Sequence, residues 1–294
     1  MSAQLSPSSG KRYGLALVTA TWRVPRATVY RHRARRQSPA ARRGPKTALT
    51  DVALLEAIRG VLAASPFLGE GHRKVWARLR AQGVRTSKAR CLRLMREAGL
   101  LAPGRARRVL GPRNHDGTII TDRPDVMWGT DATCTVTTME GQATVFIAVD
   151  HGTAECVGIH AAKVGSRFEA LEPIRQGIKA HFGAYGQGVA LGLAIRHDNG
   201  SQYTSDVFQN ELRFLGATSS PSFVRSPEGN GCAERFIRTL KEQLLWVRTF
   251  ATVEELRLAL LGWAHRYNEH WLLERHDFLS PSQARRELTL KQAA

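Results

Sequence analysis

The chain has 294 residues, 43% hydrophobic and 23% charged, a balance that excludes wholesale disorder and leaves room for more than one domain. No apolar run approaches the roughly 20 residues needed to cross a bilayer. The opening Met1-Ser-Ala-Gln-Leu-Ser-Pro lacks the basic and apolar stretches of a secretory signal, so a soluble, cytoplasmic protein is expected. The formal net charge is +18 and is unevenly spread. Residues 1–113 hold 25 Lys and Arg against four acids, Asp51, Glu56, Glu70 and Glu97. Residues 114–294 hold 18 against 21. An arginine-rich genome would raise Arg throughout, whereas a polyanionic partner, nucleic acid above all, explains a basic front half. Cys91, Cys134, Cys156 and Cys232 form no Cys-x-x-Cys pair, which excludes a recognisable zinc finger, and a disulfide scaffold is not expected in so long a chain.

In chain order, residues 12–36 read as two short helices broken at Val24-Pro25. The second, from Arg26, is basic enough to lie along DNA in a helix-turn-helix-like segment spanning 1–45 with its linker. Thr50-Asp51 caps a third helix, and two more, entered after Gly71 and near 87, complete a basic all-α unit at 46–102. A basic linker, 103–120, follows. From 121 the pattern turns to alternation: strands at 126–138, 143–149 and 154–162, then a helix at 166–182. A strand at 190–197, a helix at 204–215, a short strand near 217–220 and two long helices at 227–246 and 252–270 complete the order βββαβαβαα. That order predicts an α/β domain, a mixed five-stranded sheet flanked by helices, over 121–294.

Three acids stand out by placement. Asp131 lies inside the first strand, in Trp128-Gly-Thr-Asp-Ala-Thr; Asp198 follows the fourth, in Arg196-His-Asp-Asn-Gly; Glu234 lies on a helix, in Asn230-Gly-Cys-Ala-Glu-Arg-Phe. A carboxylate among β-formers is costly to desolvate unless a cation compensates. Carboxylates are ligands of Mg²⁺ or Mn²⁺, and two such ions about 4 Å apart activate an attacking oxygen and stabilise a leaving one at phosphorus. On the last helix Glu234, Arg238 and Lys241 share one face, while Phe236, Ile237, Leu240 and Leu244 form a separate apolar stripe. Ser226-Pro-Glu228 reads as cap, first turn and dipole partner, which accounts for Glu228 without a ligand role. Asp116, Asp122, Asp125 and Asp150 read as turn or loop residues.

With 35 residues between Asp198 and Glu234, and Lys241 seven beyond the glutamate, the pattern resembles the DDE core of retroviral-integrase-type recombinases. More narrowly it resembles the OrfB transposases of bacterial insertion sequence family three. The motifs His197-Asp-Asn-Gly-Ser-Gln-Tyr-Thr-Ser and Ser226-Pro-Glu-Gly-Asn-Gly-Cys-Ala-Glu-Arg-Phe-Ile-Arg-Thr-Leu-Lys carry it. Gly71-His-Arg-Lys-Val-Trp, Arg93-Leu-Met-Arg-Glu-Ala-Gly-Leu, Tyr267-Asn268 and Ser280-Pro281 extend it over most of the chain. The chain departs from the family pattern at Arg235 and in Trp271-Leu-Leu-Glu-Arg-His, which lacks the usual Pro-His pair.

The resemblance implies an RNase H-like catalytic domain preceded by a small all-α DNA-binding region. It implies Asp131, Asp198 and Glu234 as catalytic metal ligands for Mg²⁺ or Mn²⁺, two ions in all. Lys241, Arg238, Asn199, Gln202, Tyr203, Ser226 and Asn230 are the expected DNA contacts. The implied reaction is phosphodiester cleavage at insertion-sequence ends and strand transfer into target DNA by a nucleoid-associated bacterial enzyme. A homo-oligomer on double-stranded DNA, with an upstream-frame (OrfA-type) partner or fusion, is expected by the same analogy. The alternatives are a non-catalytic DNA-binding regulator derived from a transposase, and an RNase H-type nuclease.

Overall fold

The computed structural model describes residues 3–37, 49–103, 119–222 and 230–293. Most of both linkers, together with Asp116, Ser226 and Glu228, lies outside the described residues. The chain divides into two compact units, Met1–Ala48 and Leu49–Ala294. In the first, α1 (Gly14–Thr21) and α2 (Arg26–Gln37) flank the break at Val24-Pro25, where Arg23 takes a left-handed conformation (φ 53°).

The second unit begins with three helices, α3 (Asp51–Ala64), α4 (His72–Ala81) and α5 (Lys88–Glu97). The Thr50 hydroxyl accepts from the Ala53 amide at 3.2 Å and the Ser87 hydroxyl from Arg90 at 3.1 Å, so two of the three helix starts are capped by side chains. Leu54, Ile58, Val75, Leu79, Cys91 and Met95 are fully buried between them. Part of the basic charge is spent inside the module. Arg90 and Arg93 both donate to Asp51, at 2.8 and 2.6 Å.

The sheet comprises β1 (Met127–Thr137), β2 (Gly141–Asp150), β3 (Cys156–Ala162), β4 (Ala194–His197) and β5 (Thr218–Pro221) in the order β3-β2-β1-β4-β5. β1 pairs antiparallel with β2 and parallel with β4, so the sheet is mixed, as the element order predicts. Helix α6 (Arg167–Phe182), the single turn α7 (Ser201–Thr204) and α8 (Asp206–Leu215) cover one face. There Trp128 and Phe146 pack with Leu171, Ile174, Phe208 and Leu212. On the other face α9 (Gly231–Leu240) and α10 (Val253–His270) bury Val145, Ile147 and Val149 under Phe236, Leu240, Leu260 and Trp263. Both faces of β2 are covered, which is why it reads as an unbroken apolar run. No helix among the described residues is long and apolar enough to cross a membrane.

Four details differ from the pattern read along the chain. The strand expected from 190 begins only at Ala194, because Gly192 adopts φ 89° and turns the backbone. The helix at 204–215 is divided by Ser205, whose hydroxyl caps α8 on the Phe208 amide. The described helix bearing Glu234 begins at Gly231 and passes at Lys241–Leu245 into a wider π-helical turn. A further helix, α11 (Pro281–Ala293), closes the fold. Its start is a capping box: the Ser280 hydroxyl accepts from the Gln283 amide while the Gln283 side chain accepts from the Ser280 amide. From α11, Arg285 pairs with Asp125 and Glu155, and this buried cluster fastens the last helix to the sheet.

Close approach of α6 to β3 depends on Gly158. A Cβ there would stand 1.9 Å from the Pro173 carbonyl oxygen, with further Pro173 backbone atoms at 2.5 and 2.6 Å. Backbone cannot yield as a side-chain tip can, so Gly158→Ala is expected to destabilise the fold by about 3 kcal/mol. A shift in the urea unfolding midpoint measures it; a loss under ~1 kcal/mol would show that α6 rides freely over β3.

Candidate active site

Asp131 is placed by the central strand. It pairs across the ladder with Ile147 of β2 and so shares the face covered by α9 and α10. In the parallel pair Gly129 lies opposite Arg196. Asp131, inside β1, and Asp198, just past β4, each lie two residues beyond that pair, so the same register sets them at neighbouring positions where the parallel pairing ends. In open α/β sheets, that is where ligands bind. Asp198 is exposed, and its Oδ1 accepts from the Gly200 amide at 2.9 Å, an Asx turn that ends β4.

Glu234 arrives from α9, and the seat of that helix is specific. Asn230, its N-terminal flanking residue, is 5% exposed and donates from Nδ2 to the Thr130 carbonyl at 2.9 Å. Gly129 makes the approach possible, since a Cβ there would lie 2.6 Å from Asn230 Oδ1 and 2.8 Å from His151 Nε2. Glu234 follows one helical turn later, on the exposed side of α9, while Phe236, Ile237 and Leu240 are buried.

The electrostatics tie the three acids together. Burial pushes the Asp131 carboxyl up to about 6; the negative charges of Asp198 and Glu234 add to the rise, and the Ala132 amide and Lys241 oppose it. Asp131 therefore senses both other acids and the lysine. Among the described residues, no three His, Cys, Asp or Glu side chains stand close enough together to hold a metal ion. Like charges repel, and drawing three carboxylates into one shell needs a cation to offset that repulsion. The donor set, all carboxylate oxygen, suits Mg²⁺ or Mn²⁺ and does not suit a metal that prefers sulfur or imidazole.

The other expected contacts divide. Arg238 is exposed and ion-paired with Glu242 at 3.0 Å, and Lys241 is half-buried beside it. Asn199 is exposed and donates to the Ser222 carbonyl at 3.1 Å; Gln202 is half-buried and donates to the Gly165 carbonyl at 3.4 Å. Two residues stand elsewhere than expected for DNA contacts. Tyr203 is 2% exposed, stacked on His197 and edge-on to Phe208, because α7 turns its ring into the core. Asn230 is turned inward to β1, as above. Ser226 lies outside the described residues.

Pattern reading along the chain passed over Gly129 and His197. A glycine inside a strand of β-formers is a signal of close backbone approach. His197 braces the end of β4, with Nδ1 2.6 Å from the Asp198 carbonyl and Nε2 2.9 Å from Ser219 Oγ.

Two family models match the chain, an HTH-like domain over residues 50–108 and an integrase core domain over 215–281. The second range contains Glu234 and Lys241 but neither aspartate. The transposase assigned to insertion sequence element IS986/IS6110 of Mycobacterium tuberculosis is 30% identical over 77% of this chain and 84% of its own length. The transposase for insertion sequence element IS629 of Shigella sonnei is 26% identical over 73% of each chain. The chain belongs to the insertion-sequence transposases of family three. Transposase InsD of Escherichia coli, for insertion element IS2H, is 28% identical over 79% of this transposase. Among solved structures it is similar to a chain of a simian T-cell lymphotropic virus intasome, at 19% identity, 71% and 73% coverage and a TM-score of 0.47. The HTLV-2 integrase catalytic core in complex with magnesium matches 55% of this transposase and 97% of that chain, at 17% identity and a TM-score of 0.41.

A carboxyl whose folded pKa exceeds its unfolded value costs stability as pH rises between the two, here from 3.8 to about 6. Without metal, Asp131→Asn is therefore expected to stabilise this transposase at pH 7 by roughly 1–2 kcal/mol, allowing for solvent screening, and to leave stability unchanged below pH 4. Added Mg²⁺ should raise the melting temperature of the wild type and not of the variant. An equal metal response in both, followed by scanning calorimetry, would remove Asp131 from the ligand set.

Proposed function

We propose that this transposase catalyses metal-dependent phosphodiester cleavage at insertion-sequence ends and strand transfer into target DNA. The observation that carries the reading is the raised carboxyl of Asp131, perturbed by Asp198 and Glu234 from two other elements. A perturbed carboxyl beside the end of a parallel strand pairing marks a site more readily than a scaffold. When bound by Asp131, Asp198 and Glu234, Mg²⁺ or Mn²⁺, two ions on our reading, supplies an activated oxygen nucleophile and neutralises charge on the scissile phosphate. Arg238 of α9 and Lys241 of the π-helical turn that follows it hold backbone phosphates beside the acids. In cleavage, water oxygen bonds to phosphorus as the P–O3′ bond breaks, and a proton passes to the released 3′ oxygen. In strand transfer that 3′-hydroxyl bonds to a target phosphorus and displaces the target's own 3′ oxygen. One P–O bond forms and one breaks each time, so no covalent intermediate with the protein is required.

The basic helices supply the grip on DNA, through counterion release at each neutralised phosphate. Joining two element ends calls for more than one copy on the DNA, and an upstream-frame partner would add end selection.

Asp198→Asn is expected to reduce Mg²⁺-dependent nicking and joining of element-end duplexes at least about 100-fold while leaving DNA affinity within twofold. Nicking that persists in this variant, read on denaturing gels, would remove Asp198 from the catalytic machinery and overturn the three-acid assignment. A second measurement addresses the grip. Replacing Arg26 and Arg31 of α2 by Ala should flatten the slope of log affinity against log salt by about 1–2. An unchanged slope would take α2 out of the interface.

A further inference from the structure

The three-helix module and the helix carrying Glu234 are joined by two separate routes. Both start in the loop between α3 and α4, residues 65–71. The first is a paired hydrogen bond to Gln243, in the π-helical turn that continues α9 and contains Lys241. The Leu68 amide donates to Gln243 Oε1 at 2.9 Å, and Gln243 Nε2 donates to the Leu68 carbonyl at 2.9 Å. A side-chain amide that satisfies both polar groups of one backbone residue fixes position and orientation together. π-Helical turns concentrate at functional sites, since the extra residue re-aims the side chains that follow.

The second route is aromatic. Phe67, 4% exposed, meets Trp271 edge-on at 4.9 Å, and Trp271 stacks on Tyr267 at 5.8 Å. Tyr267 in turn meets Phe236 edge-on at 5.0 Å, two residues from Glu234 on α9. Lys74 of α4 lies over the Trp271 ring, 2.9 Å from its centre, so helix and loop grip the same indole. Trp271 opens the stretch that departs from the family's Pro-His pattern.

The same helical segment is anchored at its other end by Asn230 on β1. Its orientation is thus set at the front by the sheet and at the back by the module. We propose that Gln243 is a positioning residue through which the loop at 65–71 sets the seat of the active-site helix, so that whatever loads the module acts on Glu234 and Lys241. The catalytic part of this inference rests on the proposed function; the structural coupling does not.

Hydrogen exchange on the full-length chain tests the coupling directly. In Gln243→Ala, amides of 231–240 and of 65–71 should exchange about tenfold faster together, with the α3 core amides unchanged. Phe67→Leu, which leaves the Gln243 pair in place, should quicken the same two segments more weakly. It also serves as the reading if the first variant fails to fold. Mg²⁺-dependent nicking by Gln243→Ala should fall about tenfold in kcat with KM for duplex DNA unaltered, and metal-free affinity for a random-sequence duplex should stay within twofold. Faster exchange confined to 65–71, with 231–240 at the wild-type rate in both variants, would reduce the contact to simple docking and overturn the proposal. Failure of the wild type to nick DNA would overturn the catalytic reading instead, with exchange still deciding the coupling.

Discussion

The seat of α9 on β1 is the contact on which the candidate site depends. Gly129 offers no side chain, so Asn230 reaches the Thr130 carbonyl and brings the helix N-terminus against the strand that carries Asp131. Any larger residue at 129 would meet Asn230 and His151 at distances that real Cβ atoms do not show. A buried hydrogen bond to backbone resists displacement because its loss strands two desolvated polar groups. One missing methyl thus decides where a glutamate from the far end of the chain arrives.

Around that seat, charge is arranged with a division of labour. Asp131 lies just past the parallel pairing and senses the negative charges of Asp198 and Glu234, with Lys241 opposing them. The basic residues of the module are not all available to a polyanion. Arg90 and Arg93 are tied to Asp51, Arg78 to buried Glu70, and Arg73 to Glu274 of the sheet domain. The net positive charge of the front half therefore overstates the part of it that faces a partner. Internal ion pairs consume arginines that a count treats as free.

The module is also less independent than its composition suggests. Trp76 meets Phe278 edge-on and Arg78 donates to the His270 carbonyl, beside the Phe67–Trp271 contact. These join it to the sheet domain in one compact unit, whereas α1 and α2 belong to another. The change in charge balance along the sequence falls within one compact unit, Leu49–Ala294.

What the amino-acid order alone determined is what short-range physics controls. Runs of β-forming and apolar residues mark the strands, unbroken in β2, capping residues such as Thr50 and Ser87 mark helix starts, and Glu234, Arg238 and Lys241 share a face by helical period. The start of α11 is legible too, in the capping box formed by Ser280 and Gln283 around Pro281. Tyr203 and Asn230 are both buried, because a polar tip in a motif says nothing of which way its stem turns. Tertiary structure alone decided that Asp131 and Asp198 fall in one register, that Asn230 faces a carbonyl, and that Gln243 meets Leu68 from 175 residues away. Such partners are distant along the chain. Their meeting depends on strand pairing and layer packing, which no local window of residues contains.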